Sequence, residues 1–143
     1  MKNINRFFAS VFAVVACCLF VSCSLKDVLV IKESDTYVVI SVSGSQMALT
    51  GETTLADYMS SLKKDGQLDF ETSDGMITSV NGIANPADWS SCWMLYTDDA
   101  ENANDAWGTV EYQGKLYGSS MFGAESLKVK EGCLYIWVFQ SFS

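Results

Sequence analysis

Thr54-Leu55-Ala56-Asp57-Tyr58-Met59-Ser60-Ser61-Leu62-Lys63-Lys64 decides the fold, because it is the one clear helix in a chain otherwise patterned for strands. Leu55, Tyr58, Met59 and Leu62 fall at i, i+3, i+4 and i+7, which gives a single apolar stripe down one side of a helix. Thr53 or Thr54 can cap its start, and Gly66 can end it in the left-handed conformation. Outward from this helix the pattern changes period. Before it, Val28-Leu29-Val30-Ile31 opens the ordered part, and Tyr37 to Ser43 alternates with Val38, Ile40 and Val42 on one face. After it, Leu68 to Phe70, Met76 to Val80, Cys92 to Thr97, Thr109 to Tyr112 and Cys133 to Phe139 read as strands. Asn81-Gly82 and Glu131-Gly132 are turn signals between them. One helix among several strands predicts an α+β domain, mainly antiparallel β, with small sheets packed on one short helix.

The first residues have a different character. Lys2 and Arg6 precede an apolar run from Phe7 to Val21, too short for a comfortable membrane span, and Ser22-Cys23 follows. Phe20-Val21-Ser22-Cys23 resembles a bacterial lipobox, with Phe20 where leucine is usual. Cys23 is then the lipidated mature N-terminus. Val14-Val15-Ala16-Cys17 is a second lipobox-like stretch, ranked lower because it leaves a shorter apolar core and an apolar mature terminus. An uncleaved anchor or an ordinary secretory signal is the plainer alternative. The expected organisation is a lipoprotein signal peptide over 1–22, a short tether over 23–27 and one domain over 28–143. Such a chain is extracytoplasmic and tethered to a bacterial membrane; inner versus outer membrane stays open.

Composition narrows the chemistry. The chain has 9 basic and 17 acidic residues, a net charge of −8, and no histidine. Without Lys2 and Arg6 the remainder has 7 basic and 17 acidic residues, net −10, and no arginine. No imidazole is available for acid–base work, for activating a Ser or Cys nucleophile, or for ligating zinc. No guanidinium is available to grip phosphate, and an acidic surface argues against nucleic acid as a partner. Nor is there a nucleophile elbow, a phosphate loop or a metal-ligand cluster. Asp57, Glu71 and Asp74 are carboxylates that could meet in space, yet nothing in their spacing singles them out. The expectation is a binding domain with no catalytic residues. Of the five cysteines, Cys92 and Cys133 are left once the signal and the lipid anchor take the others. They read either as a cross-strand disulfide or as two buried thiols.

Several segments resemble the transcobalamin-like C-terminal domain family of bacterial surface proteins. They are Thr54 to Met59, Gly75 to Ile83 with its Asn81-Gly82 turn, Trp89 to Asp98 with Cys92-Trp93-Met94-Leu95-Tyr96, and Gly123-Ala124 with Leu127 to Gly132. The closing strand Leu134 to Phe139 completes the set. The resemblance spans roughly Val38 to Phe139 and departs from the family at Gly132-Cys133, where Gly-Asp is usual, and in a long insert from Asp98 to Phe122. It implies a β domain that covers one face of a ligand such as cobalamin or another corrinoid. No helical barrel accompanies it to hold the other face, and without histidine no imidazole can ligate cobalt.

Where a ligand would sit is then a question about aromatics. Trp93 and Trp137 lie within strands and read as core. Trp107, Tyr112, Tyr117, Met121 and Phe122 are spread through the polar, glycine-bearing insert, and Trp89 follows Pro86 in a loop. These six are the candidate ligand-binding residues; the competing reading is a small core belonging to the insert's own hairpin. Asp98, Asp99, Glu101 and Asp105, with Asn102 and Asn104, crowd the same insert. They fit no EF-hand frame and read as a solvated hairpin tip. Two functions follow: a lipid-tethered binder that passes a corrinoid or similar small molecule to a membrane importer, or a protein-interaction or adhesion module of the cell surface.

Overall fold

A computed structural model describes residues 28–142, so the signal peptide, Cys23 and the tether lie outside the described residues. Its helix is α1 (Leu55–Lys64), and it starts where the side chains dictate. Thr54 Oγ1 accepts a hydrogen bond from the Asp57 amide at 3.2 Å, and the Asp57 carboxylate accepts one from the Thr54 amide at 3.1 Å. This reciprocal box satisfies two amides that the first turn leaves without helical partners. It also occupies Asp57, so this carboxylate caps the helix and does not stand free beside Glu71 and Asp74. Leu55, Tyr58, Met59 and Leu62 are completely buried, each worth about 1.5–3 kcal/mol relative to exposure.

The described residues hold nine strands besides this helix: β1 (Val30–Ser34), β2 (Tyr37–Ser41), β3 (Phe70–Ser73), β4 (Met76–Val80), β5 (Ile83–Ala84), β6 (Ser91–Thr97), β7 (Ala103–Tyr112), β8 (Lys115–Ser120) and β9 (Leu134–Ser141). Six form one antiparallel sheet in the order β1-β2-β9-β6-β8-β7, and β3-β4-β5 form a second. The protein is therefore α+β and mainly antiparallel β, with one short helix among the described residues. The large sheet uses both faces. Val38 and Ile40 of β2, Trp93 and Leu95 of β6, and Tyr135 and Trp137 of β9 face α1 and the small sheet. Val39, Tyr96 and Ile136 point the other way.

The β7–β8 hairpin covers that second face. β8 pairs with β6 only at Tyr96–Ser119 and Thr97–Gly118, and then peels away. Its far end arches back to β2, where the Tyr37 hydroxyl donates to the Glu111 carbonyl at 3.0 Å and the Tyr37 and Tyr112 rings stack at 6.4 Å. The bend passes over Gly118. A Cβ there would collide with the Asp105 carboxylate and lie 3.2 Å from the Ala103 Cβ.

The structure revises several expectations. β3 runs Phe70–Ser73 where a strand over Leu68 to Phe70 was expected, because the turn that sets its register is Asp74-Gly75, with φ of 50° and 79°. These are the conformations of a two-residue hairpin turn whose twist matches the flanking strands. β7 starts at Ala103 where Thr109 was expected, and β8 and the short β5 come in addition. Polar, glycine-bearing sequence conceals the start of β7 and β8, and β5 is only two residues long.

A Cys92–Cys133 disulfide is contradicted. Cys92 sits opposite Gln140, whereas Cys133 precedes Leu134 at the other end of β9. At about 3.3 Å per residue the two lie on the order of 20 Å apart along the ladder. A bridge requires Cα atoms within about 7 Å. Both are free thiols, which leaves the alternative of two free thiols.

Candidate functional site

Where the two sheets diverge, a cleft of about 230 Å³ opens on the helix side of the large sheet. Asn85 fixes one wall: its Nδ2 donates to the Ile77 carbonyl at 3.0 Å, and its Oδ1 accepts from the Trp93 amide at 3.0 Å. One amide side chain thus ties β4 to β6. The opposite wall is the segment after β8. Met121 N donates to the Asn102 carbonyl at 2.8 Å, and Ser120 Oγ donates to the Phe122 carbonyl at 2.7 Å. These bonds hold Met121 and Phe122 at the mouth of the cleft. Trp137 lines its interior, and Met76 and Trp89 stand at the rim.

The rim is apolar and exposed. Met76, Trp89 and Phe122 keep about half their surface, with 52%, 53% and 49% accessible. Trp89 also adopts φ of 57°, a left-handed conformation that costs a bulky side chain about 1–2 kcal/mol. No charged side chain lines the cleft.

The two tryptophans inside differ in one respect. Trp93 Nε1 donates to the Ile83 carbonyl at 2.8 Å. Trp137 Nε1 is buried without any hydrogen-bond partner, alone among the buried side-chain N and O atoms of the described residues. An unmet buried donor costs about 1–3 kcal/mol, so such a group calls for an explanation. Cys92 also lines the cleft, with Sγ 3.6 Å from Met94 Sδ, and burial pushes its thiol above the ordinary value. A thiol kept protonated is a poor nucleophile.

The six candidate aromatic and thioether residues therefore separate. Trp89, Met121 and Phe122 converge on the cleft. Tyr112 and Tyr117 are 8% and 4% exposed and pack under the hairpin with Val39, Tyr96 and Ile136, so they are core residues. Trp107 is 62% exposed on β7 and lines neither the cleft nor the core. Sequence reasoning missed Met76, Asn85 and Trp137. Alternation along β9 did place Trp137 inside, but no sequence signal shows that its N–H lacks an acceptor.

The acidic run in the insert is solvated only in part: Glu101 and Asp105 are exposed, whereas Asp98 and Asp99 are sheltered. The hairpin tip is Gln113-Gly114, and Asp99 is 3% exposed. Its carboxylate accepts from Asn102 Nδ2 at 2.6 Å, Lys130 Nζ at 3.0 Å and the Glu101 amide at 3.2 Å. Burial pushes this carboxyl upward, but the three hydrogen bonds outweigh it and hold it below its ordinary value. Asp98 accepts from the Leu134 amide at 2.9 Å and pairs with Lys115 at 3.0 Å. Together they fasten the end of β6 to the start of β9. A lysine ammonium already supplies the cation here, and the described residues contain no cluster of three or more ligating side chains placed to hold a metal. A second, wider concavity of about 430 Å³ beside Asp98, Asp105 and Lys115 has a mixed lining that includes Ala100, Ala103, Ala106 and Leu116, with Asp98 and Lys115 paired to each other.

The site thus belongs to an α+β domain with an uncharged, aromatic-rimmed cleft between two antiparallel sheets. No family model matches the chain, and neither a curated protein nor a solved structure matches it.

Proposed function

We propose that this chain is a lipid-anchored extracytoplasmic lipoprotein whose β-rich domain binds a small molecule and performs no catalysis. The ligand is a corrinoid or a similar compound, handed to a membrane importer. The observation that carries the reading is the cleft: Met76, Trp89 and Phe122 are held out at the mouth of an uncharged cavity, where leaving apolar surface in water is unfavourable unless something covers it. The Phe20-Val21-Ser22-Cys23 lipobox supports the anchor. The resemblance to the transcobalamin-like domain supports the ligand class. A corrinoid is much larger than the cleft, so it would lie across the rim against Trp89 and Phe122 with only an edge inside. Contact would rely on apolar surface and backbone hydrogen bonds.

Two measurements test this. Mass spectrometry of the native N-terminal peptide should find Cys23 with a diacylglyceryl group. Titration with cobalamin and its precursors should change their visible absorbance and raise the melting temperature of the protein. A retained Met1 without fatty acid rejects the anchor, and unchanged spectra reject the corrinoid. A second reading, a protein-interaction or adhesion module, is favoured by a different observation. Trp107 and Leu116 are 62% and 63% exposed on the β7–β8 hairpin, whose β7 is a free edge of the sheet. Loss of cross-linking to a surface partner on intact cells after Trp107→Ala would support it.

A further inference from the structure

We propose that the cleft binds a small, uncharged, largely apolar molecule whose single oxygen function pairs with the Ser119 hydroxyl. This rests on the domain being a small-molecule binder and names the chemistry that the cleft selects. Ser119 is the last residue of β8 that pairs with β6, so it stands where the two strands part. The cleft follows β6 from that point, taking in Cys92 and Met94 as well as Trp93 and Leu95. Ser119 is 5% exposed, and its hydroxyl has no hydrogen-bond partner. It differs from the Trp137 N–H in one decisive way. The indole nitrogen is sealed, whereas the Ser119 oxygen keeps accessible surface and is open to a molecule in the cleft. In the free protein solvent satisfies this hydroxyl. A purely apolar ligand would displace that solvent and leave the hydroxyl buried and unpaired, whereas a ligand with its own hydroxyl or carbonyl replaces the lost bond. Other features set the rest of the molecule. No charged side chain lines the cleft, so an ion would lose its hydration without a counter-charge. Asn85 is bonded at both ends of its amide, and Ser120 both donates to and accepts from the Phe122 backbone. A sugar would therefore bring more hydroxyls than the lining side chains can match. Met76, Met94 and Met121 present thioethers, which pack against apolar bodies of irregular shape. An apolar cavity of about 150 Å³ accommodates benzene, so about 230 Å³ suits one or two rings.

Naphthalene and 2-naphthol are matched probes, alike in ring system and differing by one hydroxyl, which stays neutral at pH 7. Each is titrated into the purified full chain and into Ser119→Ala, in detergent micelles with blank micelles alongside. Binding is followed through the methionine methyl signals in two-dimensional NMR. Comparing one probe across the two proteins cancels its own partition into micelles, and the four affinities form a cycle that isolates the hydroxyl pairing. Ser119→Ala should weaken 2-naphthol about tenfold, the effect of one buried hydrogen bond, and leave naphthalene as tight or tighter, because no hydroxyl is then buried unpaired. The Met76 and Met121 methyl signals of the native chain should move with 2-naphthol, and Phe122→Ala, at the exposed rim, should weaken both probes alike. Should Ser119→Ala fail to fold, Ser119→Cys, close in size and a far weaker hydrogen-bonding group, reads the same loss. Equal loss of both probes on substitution of Ser119, no loss of either, methyl signals that stay still on binding, or no binding of 2-naphthol to the native chain overturns the proposal. Cobalamin binding with neither probe bound would overturn this inference alone. Binding of 2-naphthol through Ser119 by a protein with no fatty acid on Cys23 and no response to cobalamin would instead overturn the broader reading.

Discussion

Replacing Asp99 by alanine tests whether the acidic run of the insert is structural. Its side chain is 2% exposed and accepts from Asn102, Lys130 and the Glu101 amide. A hydrogen bond to a charged group contributes about 1.5–3 kcal/mol net, and removing the acceptor leaves its partners unpaired. Lys130 keeps Glu101 at 2.6 Å and is substantially exposed, so its share is small. The Asn102 and Glu101 bonds dominate, and Asp99→Ala should cost about 3 kcal/mol, or roughly 12 °C in Tm for a domain of this size. Asp99→Asn keeps one acceptor and loses the charge, so about half that loss is expected. The sign of the pH effect follows from the native carboxyl being held below its ordinary value. The unfolded chain binds the proton more readily, so the stabilisation is complete above the unfolded pKa near ~4 and fades as pH falls through the lower native value. Urea unfolding of the native protein and Asp99→Asn at pH 7 and pH 3 reads this directly: the gap between them should narrow at pH 3. A gap of equal size at both pH values, or an Asp99→Ala protein within about 0.5 kcal/mol of native at pH 7, would refute the reasoning.

Other outcomes follow from the same geometry. The Tyr58 hydroxyl donates to the Ser41 carbonyl at 2.9 Å and accepts from the Ser43 amide at 3.0 Å; Tyr58→Phe strands both groups and should lower stability by about 2 kcal/mol in denaturant unfolding. Gly118→Ala forces Asp105 and the bend of β7 away from β8 and should cost about 1–3 kcal/mol, with hydrogen exchange accelerated in β7 while α1 stays protected. Mass spectrometry after alkylation without reductant should find both Cys92 and Cys133 labelled once the protein is unfolded; an unlabelled pair would contradict the strand register.

The sequence by itself determined the elements whose signals are local. The α1 stripe, its Thr54–Asp57 cap, and the alternation of β2, β6 and β9 are consequences of side-chain period and backbone hydrogen bonding within a few residues. The absence of histidine, and of arginine beyond Arg6, leaves no imidazole or guanidinium chemistry to the domain whatever its fold. Tertiary structure decided the rest, because those facts depend on which strands become neighbours. Cys92 and Cys133 read as a pair while their strands were unregistered; antiparallel pairing of β6 with β9 put them at opposite ends. Tyr112 and Tyr117 read either as binding residues beside Met121 and Phe122 or as core of the hairpin itself; the arch of the hairpin over the sheet put the tyrosines inside, against Val39, Tyr96 and Ile136. Asp99 looked solvated until folding brought Lys130 to it from a segment distant in sequence. The free N–H of Trp137, set against the satisfied one of Trp93, is the sharpest case: alternation fixes which side of the sheet an indole faces, but only the packed neighbours determine whether its nitrogen meets an acceptor.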